Sequence, residues 1–179
     1  MTDTAPAPAP IRIVGIGNVL MGDDGLGPYT VEILRSRFEF PAHVELEDGG
    51  TPGLDFLPYI SDARCVIVVD TVASDAPAGT VKVYRDREII GAAPPPRLSP
   101  HQPGLREALM AAELTDRAPG ELVLVGVVPE NVEQGTRLSA PVAEAVERVI
   151  GTVLAELARL ESPAVPRPVP LEPATWWAS

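Results

Sequence analysis

Two stretches, RCVIVVD (64–70) and ELVLVGVV (121–128), are apolar and largely β-branched almost without interruption. Each is far shorter than the roughly 20 residues that span a bilayer. Their apolarity is continuous rather than alternating, which means burial on both faces. A strand buried on both faces lies inside a mainly parallel sheet and needs helices above and below it. Ile11, Ile13 and Val14 start a third such strand, with Gly15 and Gly17 breaking the run and making the turn that follows. The expected fold class is therefore α/β, as a single three-layer α/β/α domain over 11–161. Its mainly parallel, twisted sheet has about five strands, with helices on both faces.

The remaining elements follow from local signals. A helix is expected from about Leu26 to Arg37, with Pro28 tolerated in its first turn. His43 to Glu47 reads as a strand ending at Asp48-Gly49-Gly50-Thr51. A short helix opened by Thr51 and Pro52 is expected to stop near Leu57, before Pro58. Thr80 to Tyr84 suits an edge or antiparallel strand, and Asp86 to Pro103 forms a long connection containing Pro94-Pro95-Pro96 and His101. Gly104 to Ala112 is a short helix. A final helix, capped by Ser139, runs from Ala140 to about Leu160, with Val142, Val146, Val149, Val153 and Leu157 on one stripe. Residues 1–10 form a Pro/Ala tail. Residues 162–179 form a proline-rich tail whose Trp176-Trp177 pair has docking on the body or on a partner as its alternative.

Charge and cysteine content narrow the function. A formal charge of −11 opposes nucleic acid and anionic membrane surfaces, which both call for basic patches. It suits a cationic ligand or a partner with a basic segment. The single cysteine, Cys65, lies inside a buried strand; it excludes intramolecular disulfides and a self-contained thiolate cluster, and reads as an inert core residue. MTDTAPAPAP has neither the basic region nor the apolar core of a secretory signal, so a cytoplasmic setting is expected.

The loop GIGNVLMGDDGLG (15–27), between the first strand and the first helix, carries the chemistry. Gly15-x-Gly17 after a strand suggests a dinucleotide fingerprint, but the third glycine position is Leu20. Asp23 and Asp24 place two negative charges where a pyrophosphate would sit at a helix N-terminus, so no nucleotide cofactor is expected. One of the pair can cap the helix while the other faces the sheet-end crevice; the sequence does not say which. Asp70 ends a buried strand, so it either bonds the following turn or points into the same crevice. His101, in the long loop, can join them, whereas His43 reads as a remote surface residue. Two carboxylates and an imidazole make an oxygen/nitrogen site for nickel, zinc or manganese that leaves coordination positions open for hydrolysis. A triad hydrolase is disfavoured, because no G-x-S-x-G is present.

Taken together, GIGNVLMGDDGLG (15–27), DGGTPG (48–53), IVVD (67–70), SPHQPGL (99–105) and LVGVVPE (124–130) resemble the endopeptidases that mature [NiFe] hydrogenases. The segments occur in the family's order and cover nearly all of residues 11–160. The resemblance implies removal of a C-terminal extension from the hydrogenase large-subunit precursor after nickel insertion. It puts metal-contacting and catalytic roles on Asp24, Asp70 and His101, with the nickel and its thiolates brought by the substrate. Members often carry glutamate at the position of Asp24, one methylene longer. Whether the peptidase is aspartic or metal-assisted stays open. Gly49, Gly50 and Thr51 are candidate substrate-binding residues, with a plain strand-to-helix turn as their alternative. The competing function is a non-catalytic nickel-sensing chaperone of the large subunit. Either way the chain is expected to act as a monomer, away from membrane and nucleic acid.

Overall fold

The computed structural model describes residues 9–52, 54–90, 102–175 and 177. In chain order the elements are β1 (Ile11–Ile16), α1 (Leu26–Arg37), β2 (Phe38–Glu39), β3 (Val44–Gly50), α2 (Leu57–Ile60), β4 (Cys65–Thr71) and β5 (Val81–Arg85). They continue with α3 (Arg87–Ile90), α4 (Gln102–Leu114), β6 (Leu122–Val127), α5 (Ala140–Arg159) and β7 (Val165–Pro166). Short 3₁₀ turns at Gly22–Gly25 and Leu54–Phe56 precede α1 and α2.

Five strands form one sheet in the order β3-β1-β4-β6-β5. Four are parallel; β5, the expected edge strand, runs antiparallel to β6. Strand alternation sorts the core into two layers. Ile11, Ile13, Ile67, Val69, Val123 and Val125 face α1 and α5, while Val14, Ile16, Val66, Val68, Leu122 and Leu124 face α2 and α4. Every residue of β4 and β6 is buried, which is what their unbroken apolar composition requires.

From β1 the chain crosses to β3 on one side, and from β4 it passes to the edge strand β5 and back to β6 on the other. The carboxyl ends of β1 and β4 are thus adjacent at the topological switch point, where open α/β sheets form their ligand crevice. α1 can press onto this point because Gly27 has no side chain. A Cβ there would lie 2.2 Å from the Ile16 carbonyl oxygen and 2.5 Å from that of Val69.

Three local expectations are corrected. Pro58 does not end its helix. It sits in the first turn of α2, where no intrahelical N–H is needed, and the helix runs on to Ile60. Gly15 belongs to β1 rather than to a turn; a Cβ on it would meet the Gly27 carbonyl oxygen at 2.3 Å, so its smallness serves helix–strand contact. The proline-rich segment after Leu160 lies along the body. β7 pairs with β2, the Arg167 and Leu171 N–H groups donate to the Arg37 and Ser36 carbonyls, and Trp177 is buried. His43 is half-buried, its Nε2 2.8 Å from Ser162 Oγ at the start of that segment and far from the crevice.

Candidate active site

Asp24 lies in the 3₁₀ turn between β1 and α1, and Asp70 is the penultimate residue of β4. Both reach the switch point, and both are buried. The Asn18 N–H donates to Asp24 Oδ2 at 2.9 Å, and the Thr71 hydroxyl makes a long bond, 3.4 Å, to Asp24 Oδ1. The Thr71 N–H donates to Asp70 Oδ1 at 2.7 Å. Thr71 therefore bridges the two carboxylates, its hydroxyl serving one and its amide the other. These donors are neutral. They orient the two carboxylates at the adjacent carboxyl ends of β1 and β4.

Gly17 sets the approach of Asp24. Its φ is +139°, and a Cβ would fall 1.7 Å from the Asp24 carbonyl oxygen, so only glycine lets the loop fold back over the turn.

Asp23 has a different task, and neither aspartate caps α1, whose N-cap is Gly25. Asp23 Oδ2 accepts the N–H groups of Glu130 and Asn131 and the Ser139 hydroxyl, and Oδ1 accepts the Ser139 N–H at 2.6 Å. The carboxylate thus clasps the segment between β6 and α5 to the loop carrying Asp24. Ser139 is the N-cap residue of α5, as its sequence position suggests, but its hydroxyl is spent on Asp23 rather than on the helix.

His101 lies outside the described residues. Its chain neighbour Gln102 opens α4, which packs on the same sheet face as Val66 and Val68, in phase with Asp70. The far end of α4 meets the amino edge of the sheet, where the Asp62 N–H donates to the Arg117 carbonyl. The N-terminus of α4 is thereby directed toward the carboxyl edge. Among the described residues no third His, Cys, Asp or Glu completes a metal-holding group with Asp24 and Asp70.

Gly49 and Gly50 end β3, and Thr51 follows. The Gly50 N–H donates to Asp48 Oδ1 at 2.9 Å, and its carbonyl accepts the Gly17 N–H at 2.7 Å, so both polar groups of Gly50 hold the turn. Gly50 and Thr51 nevertheless line a cleft of about 220 Å³ with Gly17, Asn18 and Asp48, beside Asp24. Cys65 is buried on the α1/α5 side, one strand length away from the crevice. Burial, and secondarily the Glu121 carboxylate, pushes its thiol up to about 12.

A family profile described as hydrogenase maturation protease (HycI) matches residues 28–156. A hydrogenase expression/formation protein, HupM, of Azotobacter chroococcum is 40% identical over 168 residues, 93% of this chain and 79% of its own. The chain belongs to the hydrogenase maturation protease family. The hydrogenase 2 maturation protease of Escherichia coli is 37% identical over 88% of this chain and 96% of its own. The solved hydrogenase maturating endopeptidase HybD of E. coli superposes with a TM-score of 0.82 at 35% identity, covering 88% of this chain and 98% of that one. The family makes the chain a peptidase and matches its five-stranded, mainly parallel α/β architecture.

Thr71 and the Asp23 clasp were missed by sequence reasoning. Thr71 carries a usable signal, since a hydroxyl residue directly after a strand-terminal carboxylate can serve two acceptors at once. Asp23 carries none, because its partners lie more than 100 residues away.

Proposed function

We propose that the chain is the endopeptidase that removes the C-terminal extension of a nickel-loaded [NiFe] hydrogenase large-subunit precursor. The observation that carries this reading is the pair of buried carboxylates, Asp24 and Asp70, fixed at the switch point through Thr71 beside an open cleft. In this reading the precursor brings nickel as part of the substrate. Asp24 and Asp70, with His101, engage it and so register the extension in the cleft at Gly17, Asn18, Gly50 and Thr51. Water is then activated toward the scissile carbonyl by one of the carboxylates or by the metal. A hard oxygen pair with one imidazole suits such transient contact: it supplies borderline ligands and leaves the metal's thiolates to the substrate. Because no resident thiolates are used, the buried Cys65 stays out of the chemistry. We assign the reaction to a cytoplasmic monomer; among the described residues no helix is long and apolar enough to cross a membrane.

The test is to incubate the nickel-loaded precursor with the purified chain and weigh the product. Loss of a C-terminal peptide is expected. It is expected to be absent with nickel-free precursor and slowed by a factor on the order of 10²–10⁴ in Asp24→Asn, the range for losing a positioned acid–base group. An unchanged mass with retained binding would instead make the chain a nickel-sensing chaperone.

A further inference from the structure

Behind the loop that carries Asp24 lies a second pocket, of about 160 Å³. Val19, Gly22, Tyr29, Leu138 and Ala143 line it, Arg137 stands at its rim, and Trp177 forms one wall. Val19 also lines the cleft beside Asp24, so the two hollows are neighbours that share this residue. Leu20, the next residue, is half exposed, which extends an apolar surface along the same loop.

Trp177 reaches this pocket at the end of a strap with uneven attachment. The first half is held firmly: β7 pairs with β2, Arg167 bonds the Arg35 and Arg37 carbonyls and Glu39, and the Leu171 N–H donates to Ser36. Residues 172–175 make no hydrogen bond among the described residues, so the link between the held first half and the buried Trp177 has no bonds of its own. The fit is also incomplete, since the pocket keeps open volume beside the indole and forfeits dispersion contacts there. The matched family region ends at residue 156, so the strap lies beyond it.

We propose that this pocket is a docking subsite for an apolar side chain of the substrate polypeptide near its cleavage site, and that Trp177 occupies it in cis as a competitor. The proposal rests on the protease reading above. Continuity with the cleft across Val19 puts the pocket within reach of a chain extended through the crevice. The pocket already packs against an aromatic side chain, Trp177, carried by an extended segment of polypeptide. Arg137 adds charge selection. It is exposed and, like Arg64 and Arg106, its side chain makes no ion pair or hydrogen bond among the described residues. A cation left unpaired in a chain of charge −11 favours an acidic neighbour of the docked residue. Tethering gives Trp177 a high effective concentration, so the substrate's apparent affinity is lowered by the fraction of pockets it fills.

The experiment follows cleavage of the nickel-loaded precursor by the full chain and its variants, with Tm measured for each. Trp177→Ala is expected to lower KM by about three- to tenfold, with the change lying in KM rather than kcat. In the Trp177→Ala background, Ala143→Leu, which fills the pocket, and Arg137→Glu, which is exposed and so safe for folding, are each expected to raise KM several-fold. An unchanged or raised KM in Trp177→Ala overturns the proposal. A lower kcat together with a lower Tm overturns it too, because Trp177 would then be a brace. If the wild-type chain does not cut the precursor at all, the protease reading fails first, and the variants are not needed to see it.

Discussion

Asp23 and Asp24 are adjacent, buried and identical in chemistry, yet their partners give them opposite duties. Asp23 accepts four hydrogen bonds from the segment between β6 and α5. Asp24 instead accepts the Asn18 N–H and the Thr71 hydroxyl at the crevice. Asp23→Ala leaves three partly buried amide N–H groups without their acceptor, a loss of about 2–4 kcal/mol by the cost of losing bonds to a charged group. Tm should fall by roughly 10 °C in calorimetry. Asp23→Asn, which keeps one acceptor oxygen, should fall between it and the wild type. Cys65 is the other residue whose fate is set by surroundings. With its thiol held up near 12 by burial, it should resist a thiol-specific chromogenic reagent at pH 8 in the folded chain and react fully in denaturant. Rapid labelling of the native chain would contradict that.

At the scale of elements, legibility followed the range of the forces involved. β1, β4, β6, α1 and α5 were readable to within a residue or two, because continuous apolar runs and helical stripes are recorded in neighbouring residues. The antiparallel edge strand β5 was readable from its short, half-polar pattern for the same reason. Pro58 was misread because proline both ends helices and opens them, and only the 3₁₀ turn at Leu54–Phe56 shows which. The strap after Leu160 was misread more deeply. Proline content signals an extended chain, but whether an extended chain lies on the body depends on a two-residue pairing with β2 and on a hollow for Trp177. The site divides in the same way. Asp24 and Asp70 were visible as carboxylates ending a glycine loop and an apolar strand, while Thr71, which joins them, was marked only by its place directly after Asp70 and was missed. His101, the third expected member, lies outside the described residues.

The whole molecule assigns its two sheet edges to different work. The carboxyl edge gathers the buried Asp24 and Asp70, which accept bonds from amide and hydroxyl groups of Asn18 and Thr71. The amino edge holds the opposite arrangement: Glu156, nearly buried, is bonded by Arg85 at 2.5 Å and by Arg159 at 2.8 Å, and Arg159 also pairs with Glu121 just ahead of β6. Burial alone would raise the Glu156 pKa, but the two guanidinium groups outweigh it and hold the carboxyl below its ordinary 4.5. A carboxyl depressed in the folded state stabilises the fold above its unfolded value and loses that contribution as pH drops through the folded value. Glu156→Gln should therefore lower stability at pH 7 by about 1–2 kcal/mol, between a surface and a buried pair, or roughly 3–6 °C in Tm. That deficit should shrink steadily as pH is taken below 4.5. A strand the length of β4 separates the edges by about 20 Å, beyond the range at which substitutions usually couple. Precursor cleavage by Glu156→Gln at 25 °C should then match the wild type. The stability effects of Glu156→Gln and Asp24→Asn should add to within about 0.5 kcal/mol in a double-mutant cycle. A larger coupling would mean that the guanidinium network and the acid pair are one electrostatic system communicating through the sheet.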